Sequence, residues 1–138
     1  MKTINTKKAP KAIGPSSQGV FVNKTLYVSG QLPVELNSGE KIDDVYAATK
    51  QCLEYILAIV TEAGMEKENI VKCHVYLKDL NDFAVMNEAY SDFFKSHKPA
   101  RVAVEVSKLP KDVVVEIDAI AVACKHEGCS HKEEKRMD

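Results

Sequence analysis

Between residues 70 and 78 the chain alternates almost without a break. Val71, Cys73, Val75 and Leu77 fall on one side, Lys72, His74, Tyr76 and Lys78 on the other. Successive side chains of an extended strand point to opposite faces, so this run demands a sheet with one dry face and one polar face. Two later runs share the period. In residues 99–106, Val102, Val104 and Val106 oppose Arg101, Ala103 and Glu105. In residues 112–122, Val113, Val115, Ile117, Ala119 and Ala121 oppose Val114, Glu116, Asp118, Ile120 and Val122. Taken as partners, these two runs make a hairpin about the turn 108–111, with a guanidinium opening one strand and a carboxylate on the next.

Two segments change period. Val45, Ala48, Cys52, Ile56, Ile59 and Ala63 recur at helical spacing, thickened by Leu53, Leu57 and Val60, with Asp43 or Asp44 as cap and Gly64 beyond the end. A second helix is capped by Asp79, buries a stripe of Phe83, Met86, Tyr90, Phe93 and Phe94, and runs out before Pro99. Upstream, residues 1–12 read as a loosely held lead-in and residues 13–19 as a turn cluster. A hairpin follows, Val20-Phe21-Val22 with residues 25–29 about Asn23-Lys24, and Pro33 then interrupts pairing. The order ββ(β)–α–β–α–β–β predicts an α+β fold, a single mixed β-sheet with both helices packed on one face. The other face is expected to carry Arg101, Glu105, Glu116, His74 and Tyr76 beside Val114, Ile120 and Val122. So mixed a face predicts covering by further copies in a cyclic homo-oligomer.

Composition narrows the function. With 138 residues, 45% apolar and 28% charged, the chain is an ordinary single globular domain. No apolar run approaches the roughly 20 residues of a membrane span, and the basic first residues lack the apolar stretch of a secretory signal. A net charge of −1 supplies no field for nucleic acid. Four cysteines at irregular spacing fit a reduced, cytoplasmic protein. Residues 1–123 form the expected domain and residues 124–138 a polar tail. In that tail Cys124, His126, Cys129 and His131 offer soft ligands, but their spacing matches no standard zinc module, so a solvated tail with no metal is expected.

Several blocks carry a resemblance. Ile13-Gly14-Pro15, Ser29-Gly30-Gln31-Leu32-Pro33, Val75-Tyr76-Leu77-Lys78-Asp79-Leu80-Asn81-Asp82-Phe83, Asn87-Glu88-Ala89-Tyr90, Pro99-Ala100-Arg101, Val104-Glu105-Val106 and Glu116-Ile117-Asp118-Ala119-Ile120-Ala121 stand in collinear order. Together they resemble the RidA (YjgF) family of reactive-intermediate deaminases over about residues 1–123. The resemblance implies a chorismate-mutase-like homotrimer with active sites between subunits. It also implies hydrolysis of 2-enamino and 2-imino acids to 2-oxo acids and ammonia, without a cofactor because an imine is already electrophilic. By that resemblance Arg101 holds the substrate carboxylate, Glu116 handles the attacking water, and Gly30 and Asn87 line the pocket. A planar guanidinium suits a carboxylate, and one carboxyl group can serve as base and then acid.

Three departures stand beside the match. Ser16 replaces the family's tyrosine, so any catalytic part for its shorter hydroxyl runs through water. Ala103 stands where many members have cysteine, and the connection 96–98 is shorter than in some relatives. A non-catalytic trimer that binds small carboxylates through Arg101 is therefore the alternative. RNA cleavage, also linked to the family, is disfavoured by the near-neutral charge. Spacing alone reads Arg101 and Glu116 as an ion pair across adjacent strands, with Glu105 or Asp118 as other partners for Arg101.

Overall fold

The alternating runs pair into one six-stranded mixed sheet in the computed structural model, which describes residues 1–123. The strands are β1 (Lys2–Ile4), β2 (Gly19–Val22), β3 (Thr25–Gln31), β4 (Ile70–Leu77), β5 (Ala100–Glu105) and β6 (Val115–Val122), in the spatial order β1-β2-β3-β6-β4-β5. Helices α1 (Val45–Glu62) and α2 (Phe83–Phe94) pack on each other and on the same sheet face, as the two apolar stripes require. Asp44 caps α1 by accepting from the Ala47 amide at 2.9 Å, and Gly64 past its end takes φ +84°. Asn23 and Lys24 both adopt positive φ, the twist a two-residue hairpin needs.

The hairpin expected between residues 99–106 and 112–121 does not form. Strand β5 runs parallel to β4 at the sheet edge, reached through α2, whereas β6 inserts antiparallel between β3 and β4. A parallel pair needs a long crossover, and α2 supplies it. The connection from β5 to β6 instead passes over the end of β4, bonded to it on both sides: the Val106 amide donates to Leu77 O, and the Lys78 amide to Val114 O. Lys41 and Lys78 pair with Asp112 in that connection, at 3.7 and 3.0 Å.

Three local expectations also change. Ile70 and Cys73 are both buried and Val71 is exposed, because the register shifts between Ile70 and Lys72. Phe83 opens α2 in a half-exposed position, and Ala89 joins the buried stripe in its place. The first residues are not loose. Strand β1 pairs with β2 and buries Ile4. Behind it the buried Gln18 side chain accepts from the Thr6 amide at 2.6 Å and donates toward the carbonyls of Thr6, Ala9 and Pro10 at 2.8–3.1 Å.

Gln18→Ala removes this clasp and leaves backbone groups without partners, at a cost of roughly 2–4 kcal/mol. Hydrogen exchange is expected to accelerate at residues 5–11 while α1 stays protected.

Candidate active site

Strand β6 contributes the carboxylate. Val115, Ile117, Ala119 and Ala121 are buried beneath the helices, so Glu116 and Asp118, out of phase with them, stand on the open face. Glu116 lies opposite Tyr76 of β4 in the strand register. On its other side β3 presents Gly30, and a Cβ built there would fall onto the Glu116 carboxylate. Glycine at this position is a requirement of space. Burial, followed by the charge of Asp118, raises the Glu116 carboxyl above the ordinary glutamate range.

Glu116 and Gly30 open into a cleft of about 1290 Å³ that Ser16 also lines, walled by the segment Gln18 clasps and by Leu32, Val34 and Leu36. The Ser16 hydroxyl donates to Ile13 O at 3.2 Å, and Gly14 holds this turn at φ +73°. Ser16 is therefore in the same cleft as Glu116, with its hydroxyl proton directed to the backbone.

Arg101 sits elsewhere. It is in register with the buried Cys73 of β4 and so faces the helices. Its guanidinium donates to Asn87 Oδ1 at 2.8 Å and lies 4.7 Å from the Tyr90 ring centroid and 5.5 Å from that of Phe83. One amide and two rings, all from α2, thus fix the fork while leaving donors free. A smaller cleft of about 370 Å³ contains Arg101, Asn87, Lys95 and Lys98, with no carboxylate in its lining.

These positions correct the expected open face. Arg101 and Glu105 stand on the helix side, where Glu105 accepts from the Leu80 amide at 2.8 Å, while Val102 and Val104 are in register with His74 and Tyr76 and are half-exposed on the open side. Strand β4 separates Arg101 from Glu116, and they occupy opposite faces, so the ion pair across adjacent strands does not exist. Neither Glu105 nor Asp118 pairs with Arg101; Asp118 is held by His74 Nδ1 at 2.6 Å and by the Tyr76 hydroxyl at 3.1 Å.

The candidate residues thus fall into two groups: Ser16, Gly30 and Glu116 in one cleft, Asn87 and Arg101 in the other. The Tyr90 shelf beneath Arg101 and the Gln18 clasp were not legible as site features, since one reads as core and the other as turn. Burial holds the thiols of Cys52 and Cys73 protonated, Cys73 up to about 11, so neither is a nucleophile. Among the described residues no group of three histidine, cysteine or acidic side chains is placed to hold a metal. The tail ligands Cys124, His126, Cys129 and His131 lie outside the described residues. No described helix is long and apolar enough to cross a membrane.

With fold and clefts in view, the chain belongs to the family described as Endoribonuclease L-PSP, whose profile matches residues 6–123 and which is the RidA group. It is 51% identical to the 2-iminobutanoate/2-iminopropanoate deaminase of Salmonella typhimurium over 124 residues, covering 88% of this chain and 97% of that protein. It is 54% identical to a RutC family protein of Pyrococcus abyssi over 121 residues, covering 87% and 95%. Among solved structures it is similar to the YjgF gene product from E. coli (50% identity, TM-score 0.85, 88% of this chain and 98% of that one). E. coli TdcF with bound serine is also similar (46% identity, TM-score 0.86, 90% and 100%).

A raised carboxyl has a stability signature. Above its elevated titration point, folded Glu116 carries a charge its surroundings disfavour, so Glu116→Gln stabilises the protein at pH 7. The advantage fades as pH falls through that point and is gone at about pH 4, near the unfolded glutamate value. Urea unfolding at the two pH values and one protein concentration measures it.

Proposed function

We propose that this protein is a hydrolytic deaminase of 2-enamino and 2-imino acids, working as a homotrimer whose active sites join the Glu116 cleft of one subunit to the Arg101 cleft of the next. The observation that carries the reading is the division of the site. One chain offers a clamped guanidinium with no carboxylate beside it, and on the opposite face a half-buried carboxyl against bare glycine backbone. The two become one site when a neighbouring copy supplies the second half. The open face, with Tyr27, Val102, Val104 and Val122 exposed around polar groups, provides apolar surface for that contact. The name of the 51%-identical Salmonella protein supplies the substrate class.

In this scheme Arg101 takes the substrate carboxylate through a charge-assisted pair while Asn87 and Tyr90 hold the fork still. An enamine first tautomerises to its imine. Glu116, as carboxylate, draws a proton from water as the water oxygen bonds to the imine carbon. The imine enters protonated, so the C=N electron pair moves to nitrogen and a neutral carbinolamine results. Glu116, now a carboxylic acid, returns its proton to that nitrogen. The C–N bond breaks with its pair going to nitrogen, the hydroxyl oxygen forms the new C=O, and its proton goes back to Glu116. The released ammonia takes that proton and departs as ammonium with the 2-oxo acid, and the Glu116 carboxylate is regenerated. Holding Glu116 above the ordinary glutamate range makes it a stronger base toward water. Ser16 acts through a water rather than touching substrate. Two free buried thiols fit the reducing cytoplasm we assign it.

The test generates imines in situ with an amino-acid oxidase and measures 2-oxo acid against trapping by semicarbazide. Wild type is expected to accelerate release. Arg101→Ala is expected to lose about 10²-fold in kcat/KM or more through the lost carboxylate contact, and Glu116→Gln roughly 10²–10⁴-fold. Gly30→Ala is expected to lower kcat by about 10²-fold by displacing the Glu116 carboxylate. No acceleration by wild type, with activity appearing only in Ser16→Tyr, overturns the reading in favour of a carboxylate-binding trimer.

A further inference from the structure

The open sheet face holds a second polar group that the deaminase scheme does not use. Asp118 lies two residues along β6 from Glu116 and on the same face. Across the strand boundary Tyr76 sits opposite Glu116 and His74 opposite Asp118. Both reach one carboxylate: His74 Nδ1 lies 2.6 Å from Oδ1, and the Tyr76 hydroxyl donates to Oδ2 at 3.1 Å. Burial and Asp118 keep the Tyr76 phenol protonated, so it is a donor. Both Asp118 oxygens are therefore occupied, and the side chain has no freedom to swing away from Glu116. With His74 protonated the pair is neutral overall; with His74 neutral, Asp118 is a bare charge beside the catalytic carboxyl.

We propose that Asp118, clamped by His74 and Tyr76, is a positioning residue whose fixed charge disfavours the carboxylate form of Glu116 and so retains the proton the leaving nitrogen needs. The raised titration of Glu116, with Asp118 as its second cause after burial, agrees with this arrangement. Other charges meet Glu116 from further off. Strand β3 brings Gly30 against it, with Tyr27 further along opposite Ile120. The rim of the cleft brings Lys7, Lys11 and Lys111, which favour the carboxylate, and Glu35, which opposes it. Asp118 is distinguished from these by being held in place. The inference rests on the deaminase reading only for what the proton does, not for how it is held.

The experiment follows the Glu116 side-chain carboxyl by carbon-detected NMR titration of the full chain, with Glu116→Gln to assign the signal, and records the pH profile of kcat/KM for the same proteins. Asp118→Asn keeps the shape and removes the charge. Glu116 is then expected to bind its proton roughly threefold more weakly or less tightly still, with the acid limb of the profile moving to lower pH. His74→Gln replaces an imidazole that can carry a positive charge by a group that cannot, and is expected to move both readings to higher pH. Opposite signs in two variants of one cluster are not what a general loosening of the sheet produces. A Glu116 titration that moves in neither variant, with assembly and far-UV spectra unchanged, overturns the proposal. If Asp118→Asn does not fold, the upward movement in His74→Gln supports the proposal and its absence overturns it. Shifts in both variants of a protein that deaminates no imine support the hold of Asp118 on Glu116 and remove the deaminase reading.

Discussion

Ile117 and Ala119 are packed under the helices while Glu116 and Asp118, one residue out of phase, face the other way, and the rest of the molecule depends on that period being held in β6. The strand is central, with β3 on one side and β4 on the other. Its buried residues anchor α1, and its open residues bring Glu116 to Gly30 and Asp118 to His74 and Tyr76. A slip of one residue would bury two carboxylates and expose the core side of the strand, a cost no local rearrangement could offset. Register in β6 and placement of the carboxyl chemistry are one constraint.

The same constraint divides the functional groups. Edge strand β5 turns its arginine toward α2, where Asn87 and Tyr90 hold it, and its valines toward the open face. The alternative, with Arg101 on the open face, would have set a cation near Glu116 and drawn its proton away. Separation across the sheet leaves the guanidinium without a carboxylate beside it and Glu116 under the influence of burial and Asp118.

Much of this was legible beforehand, and the failures have physical causes. Hydrophobic period located both helices and the dry side of β6 and narrowed the first cap to Asp43 or Asp44, because burial of one face is a local demand on composition. Alternation identified the strands yet paired β5 with β6 wrongly, since period is silent about which strand lies beside which. It also assigned Arg101 to the open side: a half-exposed edge strand tolerates valine outward and a snorkelling arginine inward, so the apolar side of β5 misleads. The Gln18 clasp had no pattern at all, being one amide that meets three carbonyls far off in the chain.

What the sequence by itself determined is therefore the class of element at each stretch, the single dry sheet face, and a set of blocks specific enough to name the family. These are properties of neighbouring residues and of residue order. Only the tertiary structure decided that β6 enters between β3 and β4, that Gly30 abuts Glu116, and that Arg101 and Glu116 occupy opposite faces. Such facts arise from contacts between residues far apart in the chain, where chain crossover and packing choose among arrangements that the same local pattern permits equally.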